Sequence, residues 1–153
     1  MKQVLLLATD FSPASEPAVR RALEMARSEN APLLIANVLE SPVPFSPDGY
    51  VLPRVYDEMA AAVRAEAEKQ MQKMLARARK AGVRAKGLLL RGAPHEAIAR
   101  AARSHRASRV VLGTHGRRGF SRLFLGSVAA RVIATASCPV LVVPAGARAR
   151  RSS

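Results

Sequence analysis

Residues 4–10 read Val4-Leu5-Leu6-Leu7-Ala8-Thr9-Asp10. Five apolar residues in succession show no alternation, so this segment has no polar face to offer to water. A strand of that kind is buried on both sides, as in a parallel sheet covered by helices. The run is far short of the roughly 18 apolar residues a membrane span needs, and it meets Asp10 too soon for a secretory signal. Beyond it, Ala18, Val19, Ala22, Leu23 and Ala26 fall on one helical face, and Arg20, Arg21, Glu24 and Arg27 on the other. Pro17 fits a first helical turn, which favours Ser15 over Ser12 as the cap.

The same alternation runs through the rest of the chain. Strands are expected at 33–39, 83–91, 109–112 and 140–143. A Pro-rich irregular segment at 40–49 precedes a long Ala- and charge-rich helix, about 56–81, stopped by Gly82. Gly92-Ala93-Pro94 opens a helix with Ala97, Ile98, Ala101 and Ala102 on its apolar face, and a short helix is expected at 127–136. Strands alternating with helices imply an α/β fold: an open parallel sheet with helices on both faces.

The chain has 153 residues, 49% of them hydrophobic, which is enough for one domain with a real core. The single cysteine, Cys138, forms neither an intramolecular disulfide nor a Cys-based metal site, and suits a reducing, cytoplasmic compartment. It reads as a structural thiol, because no His base is near it in sequence. The formal charge is +14, unevenly spread. Residues 1–76 hold 8 basic and 10 acidic residues; residues 77–153 hold 17 basic residues and one acid, Glu96. Part of that excess lies in 145–153, which reads as a basic mobile tail. Such a basic half suggests an anionic partner. Aromatics are only 4%, which argues against single-strand nucleic-acid binding by base stacking.

In open α/β sheets, ligands bind beyond the carboxyl ends of strands where the strand order switches. Two strand ends carry unusual residues: Thr9-Asp10, and the segment Gly113-Thr114-His115-Gly116 running on to Gly126-Ser127. Glycines let backbone approach a ligand closely. Gly126-Ser127 stands where a helix starts, and the free N–H groups there favour an anion. Arg117, Arg118 and Arg122 lie inside the loop. The segment reads as a phosphate cradle without a P-loop lysine. By itself a Gly-x-x-Gly pair is ordinary turn punctuation, and Asp10 alone fits a turn-closing role equally well; the Gly-Ser at a helix start shifts the reading toward binding.

Gly113, Gly116 and, nine residues later, Gly126-Ser127 match the Gly-x2-Gly-x9-Gly-Ser pattern. In this the chain resembles the ATP-binding branch of the universal stress protein family. Asp10 after the first strand, Ala36-Asn37-Val38 closing the second, Gly92-Ala93-Pro94 after the third and Ala136-Ser137-Cys138-Pro139 before the last agree with it. The likeness covers residues 3–144, and residues 1–144 are taken as the nucleotide-binding domain. It implies a five-stranded sheet of order 3-2-1-4-5. It implies ATP as the ligand, with any Mg2+ riding on the phosphates. Asp10 is then the ribose contact, Thr9 and Val38 line the adenine side, and Leu112 and Gly113 close the pocket. Backbone at His115, Gly116, Gly126, Ser127 and Val128 holds the phosphates. It also implies a homodimer paired along the apolar edge strand Val140–Val143. The Ser108-Arg109 pair and the 41–49 segment depart from the family's habits without touching the motif.

His115 has no acid nearby and no Ser-His-acid set around it, so it reads as a backbone spacer. His95 and His105 read as surface or packing residues. Neither a general base nor a metal-ligand cluster is apparent, so the expected protein is a nucleotide-dependent stress-response factor, at most a slow ATP hydrolase. The alternative is a protein that binds nucleic acid or another polyanion through its basic half.

Overall fold

The computed structural model describes residues 3–42, 49, 52–115 and 125–146. Its strands are β1 (Val4–Ala8), β2 (Leu33–Val38), β3 (Ala85–Leu90), β4 (Ala107–Gly113) and β5 (Val140–Val143). Its helices are α1 (Glu16–Ser28), α2 (Pro53–Lys80), α3 (Pro94–Ser104) and α4 (Ser127–Thr135), with a short 3-10 turn at Pro13–Ser15. The strands form one sheet in the order β3-β2-β1-β4-β5, parallel at every pairing. Both the fold class and the strand order agree with the sequence reading.

β1 is central because its apolar side chains leave it no wet face. Leu5 and Leu7 pack against α1 and α2, together with Val19, Leu23, Ile35 and Met71. Leu6 and Ala8 point the other way, into the layer of Ile98, Ala101 and Ala102 from α3 and Ala129 and Val132 from α4. Two cores therefore sit back to back across one sheet. The first two helices cover one face and the last two cover the other.

Several element boundaries differ from the sequence reading, each for a local reason. β4 starts at Ala107, two residues before the expected start at Arg109, and so includes Ser108 as well. Ser108 Oγ donates to the Val4 carbonyl at 3.0 Å, and Arg109 reaches Glu29 at 3.1 Å, so both polar side chains are accommodated. α2 starts at Pro53, a residue whose fixed φ suits a first helical turn. It stops where expected: Gly82 takes φ +73, its N–H reaches the Arg79 carbonyl, and the Val83 N–H reaches that of Ala78. That pair of bonds is a Schellman closure. It consumes Val83, so β3 begins two residues later. Ser15 is the N-cap residue of α1, as expected, but its hydroxyl caps nothing on the helix. It turns back to Thr9 and to the Ser12 carbonyl.

α2 has 28 residues, about 42 Å at 1.5 Å per residue, and outruns the six-residue β3 it crosses. Only Ala67, Met71 and Ala78 of it are buried. The exposed turns carry the pairs Arg54–Glu58 and Arg64–Glu68 and the Gln70–Glu66 hydrogen bond, which support the helix locally.

The helix is anchored at two points. Arg77 donates to both carboxylate oxygens of Glu16 on α1, at 2.9 and 2.5 Å. That fork holds the Glu16 carboxyl below the usual glutamate range, against the opposing effect of burial. The second anchor is Met71, which lies over Gly87 of β3; a Cβ there would fall 2.7 Å from Met71 Cγ and 2.8 Å from its Sδ.

Two outcomes follow from these anchors. Gly87→Ala overpacks a closed contact and is expected to cost about 1–3 kcal/mol in urea unfolding; the loss is smaller when Met71→Ala is already present. Glu16→Gln is expected to lower stability at pH 7 by less than about 1 kcal/mol, because the ion pair is 41% and 37% exposed and water screens it. A carboxyl with a depressed folded pKa stabilises above the unfolded value, near 4.3, and loses that contribution as pH falls through the folded value. The gap between wild type and Glu16→Gln should therefore close below about pH 4 in parallel urea titrations.

Candidate functional site

The chain leaves β1 toward α1 on one face of the sheet and leaves β4 toward α4 on the other. The crevice between the carboxyl ends of these neighbouring strands is the switch point at which such sheets bind ligands.

On the β1 side, Thr9 is a buried hub. Its N–H donates to the Ala36 carbonyl at 2.9 Å, and its carbonyl accepts from the Asn37 side-chain amide at 2.9 Å. Its hydroxyl lies 2.9 Å from Ser15 Oγ and accepts from the Phe11 N–H at 3.0 Å. The polar ends of β1 and β2 are thus tied together by the Thr9 backbone and the Asn37 side chain, both residues less than a tenth exposed. Asp10 Oδ1 accepts from the Ser12 N–H at 3.0 Å and closes the turn. Between them Phe11 takes φ +61, a left-handed conformation costly for a bulky residue. The hydrogen bonds on both sides of Phe11 hold it there.

On the β4 side, Leu112 is buried, and Gly113 closes the strand. Gly113 has no positive φ. Its value is space: a Cβ would sit 3.4 Å from the His115 carbonyl oxygen and 3.6 Å from that of Ala14. The β4 end thus abuts the turn after β1. The Thr114 N–H donates to the Val143 carbonyl at 3.1 Å, and the Thr114 carbonyl accepts from the Gly126 N–H at 2.7 Å. The second contact requires glycine, since a Cβ on Gly126 would lie 2.6 Å from that same carbonyl oxygen. Gly126 is the N-cap of α4, and Ser127 and Val128 are its first two residues, both exposed.

The first helical bond of α4 runs from the Ala130 N–H to the Gly126 carbonyl. The amides of Ser127, Val128 and Ala129 precede it, and among the described residues no side-chain cap bond to them is seen. They present N–H groups and the positive helix end to the crevice, which is the arrangement that takes an anion. Gly116, Arg117, Arg118 and Arg122 lie outside the described residues, as do residues 147–153 of the expected tail.

Among the described residues, two buried side-chain polar atoms have no hydrogen-bond partner: Ser12 Oγ and His115 Nε2. One follows β1 and the other follows β4. An unpaired buried polar atom costs about 1–3 kcal/mol, so both mark a place where a partner is missing. His115 is fixed from its other side, with Nδ1 3.0 Å from Thr114 Oγ1. The sequence reading took His115 as a backbone spacer, weighed Ser12 and Ser15 only as helix caps, and did not single out the Asn37 side chain. Asn37 carried a signal: it is the one polar residue in the run Leu33–Val38, and a polar side chain in a buried strand needs a partner.

Among the described residues no cluster of three or more His, Cys, Asp or Glu could hold a metal ion. No helix among them is long and apolar enough to cross a membrane. Burial pushes the half-buried Cys138 thiol up, which makes it a poor nucleophile near neutral pH.

Comparison with known proteins places this architecture. The chain is 37% identical over 144 residues to a universal stress protein of Thermus aquaticus, covering 94% of this chain and 99% of that one. It is 32% identical over 139 residues to one from Methanocaldococcus jannaschii, covering 91% and 80%. Among solved structures it is similar to the universal stress protein UspA of Lactobacillus plantarum, with TM-score 0.80, 25% identity and coverage of 92% and 97%. It is also similar to a universal stress protein solved in complex with cAMP, with TM-score 0.68, 27% identity and coverage of 95% and 98%. With residues 1–144 also matching the family's sequence pattern, the chain belongs to the universal stress protein family.

Proposed function

We propose that this protein binds an adenine nucleotide, ATP, in the crevice between β1 and β4, and acts as a nucleotide-dependent stress-response factor. The observation that carries the reading is the start of α4. Three uncapped amides open beside the β4 end, and the Gly126 N–H locks them in place on the Thr114 carbonyl. Fixed backbone donors at a helix N-terminus hold phosphate without any cost of reorganising side chains. The relative solved with cAMP supports an adenine nucleotide as the ligand class. The orphaned Ser12 Oγ and His115 Nε2 fit a polar ligand as well, because a ligand would supply the partners they lack.

In this reading Asp10 meets the ribose while its other contacts close the turn. Thr9 and Val38 line the adenine side; the polar groups of Thr9 are already committed, so it serves as a wall. Leu112 and Gly113 close the pocket. His115, Gly126, Ser127 and Val128 hold the phosphates, together with Gly116. Bound Mg2+ would be carried by the phosphates. The residues supply anion donors but no positioned base, so hydrolysis, where it occurs, is slow. β5 lies at the sheet edge with an apolar sequence, and we propose that two copies pair there to form a homodimer in the cytoplasm.

Protein purified without added nucleotide and extracted with acid is expected to release adenine nucleotide detectable by mass spectrometry. Apo protein should bind ATP in calorimetry, and Gly126→Ala should weaken that binding at least tenfold while leaving the far-UV circular dichroism unchanged. Wild-type protein that neither carries nor binds an adenine nucleotide would overturn the reading.

A further inference from the structure

Part of the sequence's charge asymmetry becomes spatial: the first two helices, which share one face of the sheet, carry Glu16, Glu24, Asp57, Glu58, Glu66 and Glu68, whereas the last two, which share the other, carry Glu96 alone. On the α1–α2 side cations and carboxylates are interleaved, and five arginines are paired, while among the described residues Arg27, Lys69, Lys73, Arg79 and Lys80 there carry no ion pair. Arg21 pairs with Glu24, Arg54 with Glu58, Arg64 with Glu68, Arg77 with Glu16, and Arg109 with Glu29. On the α3–α4 side, Arg100 and Arg103 of α3 and Arg131 of α4 are exposed. Arg91 and Arg106 flank α3, and Lys86 points to the same side, since Leu88 and Leu90 of its strand pack into that core.

The acid on this side is Glu96, whose recorded ion-pair contact is a 3.9 Å approach to His95. Among the described residues none of these six cations has a carboxylate partner. Arg100 makes one long hydrogen bond of 3.5 Å, to the Arg91 carbonyl. Six uncompensated cations on one layer repel each other, and that repulsion is relieved by an extended anion rather than by a single small one.

We propose that the α3–α4 face is a docking surface for the phosphate backbone of duplex nucleic acid. Five of the six cations are arginines, whose planar fork suits phosphate oxygens. Neither α3 nor α4 contains Phe, Tyr or Trp on which unpaired bases could stack, so the face fits a duplex read through its phosphates rather than a single strand. A membrane surface fits it less well. Helices that lie on bilayers place large apolar side chains beside their cations; the exposed positions of α3 are Pro94, Glu96, Arg100, Arg103 and Ser104, while α4 exposes Val128 and Ile133 beside Arg131, so anionic vesicles are an arm of the test. The contact is independent of sequence and separate from the nucleotide crevice.

The test compares two triple charge reversals of equal size in the full chain. Arg100→Glu/Arg103→Glu/Arg131→Glu strips the face; Lys69→Glu/Lys73→Glu/Lys80→Glu makes the same change in net charge on exposed positions of α2. Binding to a fluorescent 20-base-pair duplex of arbitrary sequence is measured by anisotropy at several salt concentrations, with thermal unfolding and ATP calorimetry run on each protein. Wild type is expected to bind at low salt, with affinity falling steeply as salt rises. The arginine reversal should weaken duplex binding at least tenfold and the lysine reversal less than threefold, with ATP affinity unchanged in both. The proposal is overturned by equal losses in the two variants, by retention of full binding in the arginine variant (binding through other basic segments), or by wild type that ignores duplex yet binds anionic phosphatidylserine vesicles. Loss of ATP binding in wild type would bear on the nucleotide reading alone. If the arginine variant unfolds early, the single Arg103→Gln variant, with an expected threefold loss, replaces it.

Discussion

β1 must be buried on both faces at once, and most of the structure follows from that. Leu5 and Leu7 need one layer of helices, and Leu6 and Ala8 need another. The strand is paired with β2 on one flank and β4 on the other. Two neighbours reached in opposite directions create a switch in strand order. The switch leaves a crevice beyond the carboxyl ends of β1 and β4. The site is thus a consequence of how the core is closed.

What makes that crevice specific is the treatment of its polar groups. Backbone and side-chain donors near a buried strand end must be satisfied or exposed. On the β1 side nearly everything is satisfied: Thr9, Ser15, Asn37 and the turn at Asp10 bond to one another and hold Phe11 in a left-handed conformation. This is a rigid wall. On the α4 side the amides after Gly126 are left uncapped. A rigid wall facing fixed, unpaired donors is a preorganised arrangement, in which an anion meets its partners without first reordering them. The two orphaned buried atoms, Ser12 Oγ and His115 Nε2, sit on either side of it.

The connectivity also sorts charge. Because each pair of consecutive helices covers a single face, an acidic-and-basic N-terminal half and a basic C-terminal half become two faces of different character. On the first face, acids and bases are interleaved and five arginines pair with carboxylates over short distances. On the second, Glu96 is, among the described residues of α3 and α4, the one carboxylate beside six exposed cations.

Much of the fold was legible in the sequence because it rests on local pattern. The unbroken apolar run at 4–8 determined a doubly buried strand, strand–helix alternation determined a parallel sheet, and Gly82 determined the end of α2. The spacing of Gly113, Gly116 and Gly126-Ser127 marked the second half of the crevice, and Asp10 the first. Other features depend on residues far apart in the chain, which no local pattern reports. Tertiary contact decided that Ser108 lies inside β4, since its hydroxyl's partner is the Val4 carbonyl. It decided that Ser15 serves Thr9 instead of capping α1, that Asn37 braces the β1 end, and that Gly126 must be glycine because the Thr114 carbonyl occupies the space of a Cβ. Periodicity reveals which face of an element is buried; which atoms meet there is settled only when the elements pack.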